Sequence, residues 1–111
     1  MPIDYADFDR VDMRAGLVTA VEEFPRARTP SYKVQVDFGS DLGVRWSSAQ
    51  AKHDYRTDEL VGRQLLAVVN LHPKNIAGFT SEVLLLGVPA EDGGLSLLVP
   101  SRPARLGGRV Y

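Results

Sequence analysis

Tyr32, Val34, Val36 and Phe38 alternate with Lys33, Gln35 and Asp37. A period of two puts the apolar set on one face of a strand and the polar set on the other. This predicts a half-buried strand over 32–38. Gly39-Ser40-Asp41-Leu42-Gly43 then predicts a turn. Beyond it Val44, Trp46 and Ser48 alternate with Arg45 and Ser47, a further strand, hairpin-paired with the one before. Upstream, Val11, Met13, Ala15, Leu17 and Val21 fall on one face, with Asp12 and Arg14 on the other. That is a long strand of about ten residues. Gly16 within it suggests a bulge or tight curl, as a strand serving both sides of a small barrel needs.

Two other runs, 65–69 and 83–86, are almost continuously apolar and too short for ordinary helices. They predict strands buried on both faces. In a small protein the second face requires cover, from a terminal segment or from a second subunit. Between these runs, Asn70 to Glu82 shows no apolar period and predicts a polar loop presented by a rigid scaffold, or a plain connection. Asp4 to Phe8 predicts a short helical turn capped by Asp4, with Tyr5 and Phe8 on one face. Thr57-Asp58-Glu59-Leu60 predicts a short helix capped by Thr57 and ended by Gly62. Leu95, Leu97 and Val99 predict a last short strand, followed by an irregular tail. The order strand, strand, strand, short helix, strand, strand is that of an all-β OB-fold, a five-stranded Greek-key barrel. The alternative is another small all-β barrel. The helix lies between strands 3 and 4, and the chain reads as a single domain over 1–111. Its short terminal extensions are a helical turn in 1–10 and a tail over 100–111.

Composition narrows the function. At 111 residues, with 44% hydrophobic and 24% charged side chains, this is an ordinary globular composition. Cysteine is absent, so no disulfide or thiolate metal site can form. The start, MPIDYADFDR, lacks the basic and apolar segments of a signal peptide, and no apolar run reaches membrane-spanning length. A cytoplasmic, soluble protein without membrane insertion is expected. Net charge is −1, but residues 1–25 are rich in acid and 26–74 in base, which allows a local positive patch. His53 and His72 lack metal-ligand spacing, no serine sits in a GxSxG elbow, and no glycine loop leads into a helix. No enzyme activity, cofactor or metal is expected.

The candidate binding residues are polar. Arg26 and Arg28, one residue apart in the loop 22–31, would project together from an extended chain and suit phosphates. Ser47, Ser48 and Gln50 end a strand in hydroxyls and an amide, which bind ligands or satisfy their own backbone. Asn70, Lys74, Ser81 and Glu82 lie in the loop between the apolar runs.

Taken in order, Val11-Asp12-Met13-Arg14-Ala15-Gly16, Phe24-Pro25-Arg26-Ala27-Arg28, Trp46-Ser47-Ser48-Ala49-Gln50 and Asn70…Pro73-Lys74…Ser81-Glu82-Val83-Leu84 resemble the CsaA family. That family belongs to the wider group of tRNA-binding domains found at the ends of some aminoacyl-tRNA synthetases. The resemblance covers nearly the whole chain. It implies an OB-fold, a homodimer, and a surface for tRNA formed by Arg26, Arg28, Ser47, Ser48, Gln50, Asn70, Lys74, Ser81 and Glu82. It also implies a chaperone role toward unfolded peptides of secretory precursors, assisting protein export, to which Ile76, Ala77 and Phe79 would suit the surface. Glu82 would hold Lys74 or Arg28, or accept from a base amine. One departure is that the loop KNIAGFTSE carries Lys74 as its single cation, where synthetase-type relatives are more basic. Phe79 there reads as a ring for base stacking or as loop core. Tyr5, Phe8, Leu84, Leu86 and Pro100 are the expected dimer contacts. A third reading, a dimerisation domain without a ligand, expects no pocket beside Lys74 and Ser81.

Overall fold

The longest strand, β1 (Met13–Glu23), changes partners along its length. Its first half pairs antiparallel with β4 (Gln64–Val68), Met13 opposite Val68 and Leu17 opposite Gln64. Its second half pairs with β2 (Tyr32–Asp37), Leu17 opposite Asp37 and Glu23 opposite Tyr32. The computed structural model describes all 111 residues. Before β1 lies α1 (Tyr5–Asp9); between β2 and β3 (Val44–Ala49) lies α2 (Gly39–Leu42); and α3 (Thr57–Leu60) precedes β4. Then come β5 (Lys74–Ile76), β6 (Phe79–Ser81), β7 (Leu84–Leu85), β8 (Gly87–Pro89) and β9 (Leu95–Leu97). The main sheet runs β3-β2-β1-β4-β7, with β5-β6 and β8-β9 as separate hairpins. Glu82 N–H donates to the Trp46 carbonyl at 2.8 Å, which brings the chain before β7 against β3 and nearly closes the barrel. This is the expected OB-type architecture, with α3 between the third and fourth strands of the barrel.

The core follows from the clean alternation of β2. Tyr32, Val34, Val36 and Phe38 are all buried. They meet Val18 of β1, Leu65 and Ala67 of β4, and Leu60, which α3 inserts into the barrel. Burying a side chain of this size contributes about 1.5–3 kcal/mol. The helix cap is Arg56, not Thr57: its N–H donates to the Glu59 carboxylate at 2.8 Å. Gly62 (φ +87) ends the turn as expected. At α1, Asp4 occupies the N-cap position but makes no side-chain capping bond.

Several expectations are corrected. The bulge in β1 lies at Thr19, where the register slips between Val18 and Ala20. Past that slip the inward parity changes, so Val11, Met13, Ala15, Leu17 and Val21 do not form one buried face. Val11 precedes the strand and is exposed, whereas Ala15, Gly16 and Val18 are buried. Gly16 is required by close packing instead, since a Cβ there would lie 2.8 Å from Phe38 Cε1 and nearer still to Val36 Cγ1. The 39–43 turn contains a helical turn, α2. The polar stretch 70–82 is not wholly loop, because Lys74–Ile76 and Phe79–Ser81 form a hairpin. Its tip, Ala77 (φ 50) and Gly78 (φ 83), has two positive φ angles, as tight hairpin turns prefer. A strand at 87–89, not foreseen, pairs with Leu95–Leu97.

Both-face burial of 65–69 and 83–86 is only partly realised. Leu65, Ala67, Val68 and Val83 are buried, but Leu84 is 50% exposed. The tail supplies some cover and is ordered by backbone pairing. Gly107 N–H donates to Ala15 O at 2.8 Å, Ala15 N–H to Gly108 O at 2.9 Å, and Val110 N–H to Met13 O at 2.9 Å. Arg14 fastens the same edge. It reaches Asp12 at 2.6 Å and donates to Gly107 O at 3.0 Å. The hydrogen bond to Asp12, followed by the Asp12 and Asp41 charges, outweighs desolvation and raises the guanidinium pKa above its ordinary value.

Asn70 is a staple as well as a loop residue. Its Oδ1 accepts from Asp12 N–H at 2.9 Å, and its Nδ2 donates to Arg10 O at 2.8 Å. Asn70→Ala removes both bonds and is expected to lower stability by about 1 kcal/mol, the scale of a net hydrogen bond. Urea denaturation reads this directly, and a midpoint identical to the parent's would refute the staple.

Candidate nucleic-acid interface

The outer face of β2 and β3 carries the richest chemistry of the surface. Lys33 pairs with Ser48 and Gln35 with Trp46, so these four side chains share the face that Val34 and Ser47 do not. Val34 and Ser47 point into the barrel and are buried. The apolar alternation of 44–48 therefore misassigns its inward side. Trp46 is outside, half-buried, while Ser47 goes in because its hydroxyl donates to the Val83 carbonyl at 2.7 Å.

Phe79, on β6, leans over this face. Its ring meets Trp46 edge-on at 6.2 Å and Phe24 at 5.3 Å. Phe24 is buried and anchors the base of the loop between β1 and β2. The Lys33 ammonium sits 5.0 Å from the Phe24 ring centroid and 5.1 Å from that of Phe79, within cation–π reach of both. A depression of about 330 Å³ opens here, lined by Glu22, Lys33, Trp46, Phe79, Thr80 and Glu82.

The residues expected at the site fall into three groups. Ser47, Ser48, Ser81 and Glu82 do come together, and they build the seam that closes the barrel. The Ser81 hydroxyl accepts from Ser48 N–H at 3.0 Å, and Glu82 Oε1 accepts from Trp46 N–H at 3.0 Å. Glu82 thus orients β3, and makes no ion pair with Lys74 or Arg28. Lys74 stands opposite Ser81 in the β5–β6 hairpin and is exposed. Arg26 and Arg28 are exposed in a turn followed by a bend, so the extended geometry expected to align them is absent. Gln50 is exposed at a separate groove of about 590 Å³, beside Ser48, Asp54, Leu84, Val88 and Leu95. Asn70 belongs to the staple on residues 10–12 rather than to the seam.

The sequence pattern does not single out Lys33, Phe24 and Trp46 as binding residues. For Lys33 the signal was present, since a lysine alternating with four buried apolar residues must lie on the outer face. For Trp46 and Phe24 no local signal distinguishes an outside aromatic from a core one.

Residues 13–109 match the family described as "Putative tRNA binding domain". The fold superposes on the CsaA chaperone protein of Picrophilus torridus with a TM-score of 0.92 and 41% identity, covering 99% of this chain and 100% of that one. It also superposes on chaperone CsaA of Bacillus anthracis str. Ames, at 0.92 and 42%, with both chains covered in full. Among curated proteins, the methionine–tRNA ligase of Thermococcus onnurineus is 35% identical over 109 residues, 97% of this chain but 14% of that enzyme. The chain thus spans about a seventh of the length of the curated relatives it matches. The likeness does not extend over the remaining length of these ligases. The family match and the end-to-end likeness of the two chaperone structures together make this chain a member of the tRNA-binding-domain family, of the CsaA type.

Proposed function

We propose that this protein is a non-catalytic, cytoplasmic binding module that recognises tRNA on the outer face of β2 and β3 and the two loops beside it. The observation that carries this reading is a half-buried aromatic face bordered by cations without salt-bridge partners, namely Arg26, Arg28, Lys33 and Lys74. OB-folds bind oligonucleotides on this strand face and on the loops that flank it. Cations supply the salt-dependent phosphate attraction, and flat rings supply stacking that tolerates any base. The overall charge of −1 makes the attraction local rather than a property of the whole protein. Within this reading Ser48 and Gln50 are additional contacts, while Ser47, Asn70, Ser81 and Glu82 act chiefly by holding the surface in shape. The depression of about 330 Å³ is lined by neither Lys74 nor Ser81, so ligand binding draws its support from the ring and cation lining of that depression and not from a pocket at those two residues.

The test is fluorescence anisotropy of labelled tRNA over a salt series, with an unfolded precursor peptide as competitor. Binding that weakens steeply with salt supports the reading. Absence of tRNA binding at low salt, with peptide bound, overturns it in favour of a peptide-binding chaperone that assists export. That second reading draws on the 590 Å³ groove, whose apolar wall includes Leu84, Val88 and Leu95.

The same module is read as a single domain that pairs into a homodimer through Tyr5, Phe8, Leu84, Leu86 and Pro100. Tyr5 is 69% exposed and packs on Phe8 at 5.8 Å between ring centroids, and Leu84 is half exposed. Dimer and peptide would compete for Leu84. Leu84→Asp is expected to yield a folded monomer in sedimentation velocity, because its side chain already reaches solvent. A variant that still sediments at twice the chain mass would remove Leu84 from the interface.

A further inference from the structure

We propose that the depression between Trp46, Phe79 and Lys33 is a subsite for one unpaired nucleobase, with preference for bases that carry an exocyclic amine. The inference deepens the RNA-binding reading and rests on it. Three observations converge. The space, about 330 Å³, is at the small end of ligand pockets and fits one planar group rather than a run of them. Its walls are half-buried rings, Trp46 and Phe79, set edge to face with an interplanar angle of 90°. Phe24 fixes Phe79 from behind at 5.3 Å, so the ring is held in place before any ligand arrives.

The polar groups around the rings define which base fits. Glu22 and Glu82 line the space, and neither takes part in an ion pair. Glu82 uses Oε1 on Trp46 N–H, which leaves its second oxygen to accept. Lys33 is the one cation of the lining and can donate to a ring nitrogen or carbonyl. Acceptors beside a donor complement the Watson–Crick edges of cytosine and adenine, which carry an amine next to an acceptor ring nitrogen. Uracil offers no amine, and its one Watson–Crick donor, N3–H, is flanked by two carbonyl oxygens that repel a carboxylate. The loop cations Arg26 and Arg28 follow Phe24 within a few residues, and Lys74 lies on the strand paired with Phe79's strand. The base would therefore sit between cations suited to its flanking phosphates.

Trp46 is the single tryptophan of the chain, so its fluorescence reports this subsite alone. The experiment titrates oligo(C), oligo(A) and oligo(U) octamers into the intact protein, following Trp46 emission and, in parallel, anisotropy of a labelled end. The expected result is quenching by oligo(C) and oligo(A) at concentrations roughly tenfold or more below those needed for oligo(U), the scale of one good base contact. Phe79→Leu keeps apolar bulk but removes the ring, and should weaken oligo(C) binding about tenfold or more, as loss of one stacked base does. Glu82→Gln retains an acceptor for Trp46 N–H and should narrow the gap between oligo(C) and oligo(U). RNA binding by anisotropy with unchanged Trp46 emission would overturn the subsite while leaving RNA recognition intact. Equal quenching by all three oligomers would overturn the amine preference. Failure of anisotropy for tRNA and every oligomer would overturn RNA recognition itself. Quenching only by arginine- or lysine-containing peptides would reassign the pocket to a cationic side chain and also overturn the proposal.

Discussion

Gly16→Val is expected to destabilise the barrel by about 3 kcal/mol, the upper part of the range for overpacking a filled core. Gly16 lies opposite Leu65 on β1, just before the strand passes from β4 to β2. A Cβ there would approach Phe38 Cε1 at 2.8 Å and Cδ1 at 2.9 Å, with Val36 Cγ1 nearer still. Val36 and Phe38 are fully buried and have no space to retreat. The clash is therefore with fixed core atoms, not with the mobile end of an exposed side chain. Gly16→Ala should show a smaller loss in the same direction, since it adds the Cβ without the two branches. The total stability of a domain is about 5–15 kcal/mol, so the valine variant should lose a large share of its urea midpoint. A valine variant that melts with the parent would show that β1 can shift away from β2 at this point, and would refute the close-packing role of Gly16.

The triple variant Arg26→Ala, Arg28→Ala, Lys74→Ala is expected to lower the slope of log affinity for tRNA against log salt by about 2 to 3 in magnitude. Each neutralised phosphate contributes roughly 0.9 for a duplex and 0.7 for a single strand. All three side chains are exposed and outside the core and the salt bridges, so stability should change by no more than about 0.5 kcal/mol. The effect should be similar for different tRNA species, because phosphate contacts carry no base information. An unchanged slope would place the phosphates elsewhere on the molecule. Lys33 is left in place in this variant because it also stacks on Phe24 and Phe79, so its removal would mix loss of charge with loss of packing.

Legibility differed from strand to strand. The alternation of 32–38 reads correctly because one whole face of β2 is buried and the other is polar. β3 defeats the same rule. Trp46 is apolar but outside, and Ser47 is polar but inside, because a hydroxyl 2.7 Å from the Val83 carbonyl is satisfied there at no cost in unpaired groups. The β5–β6 hairpin shows no period because it has no face on the barrel core, and most of its residues are exposed. The ordered tail is equally silent, since it is held by backbone N–H and carbonyl groups that every non-proline residue carries.

The candidate site divides the same way. Asn70, Ser81 and Glu82 stand out as polar residues in a loop between apolar strands, yet their work here is to bind backbone groups of residues 10–12 and 46–48. The exposed cations Arg26, Arg28 and Lys74 are legible, but their neighbours are not.

The sequence by itself determined a small all-β barrel, its strand order, its short helix and the two loops that border the strand face. Those follow from period, turn chemistry and chain order, which are local properties. The tertiary structure alone decided which polar groups close the barrel and which rings and cations remain free on its surface. That division depends on hydrogen-bond and ring partners more than thirty residues away along the chain, such as Trp46 with Glu82 and with Phe79. A one-dimensional pattern reports which way a side chain points relative to its neighbours, but not what the fold brings to meet it.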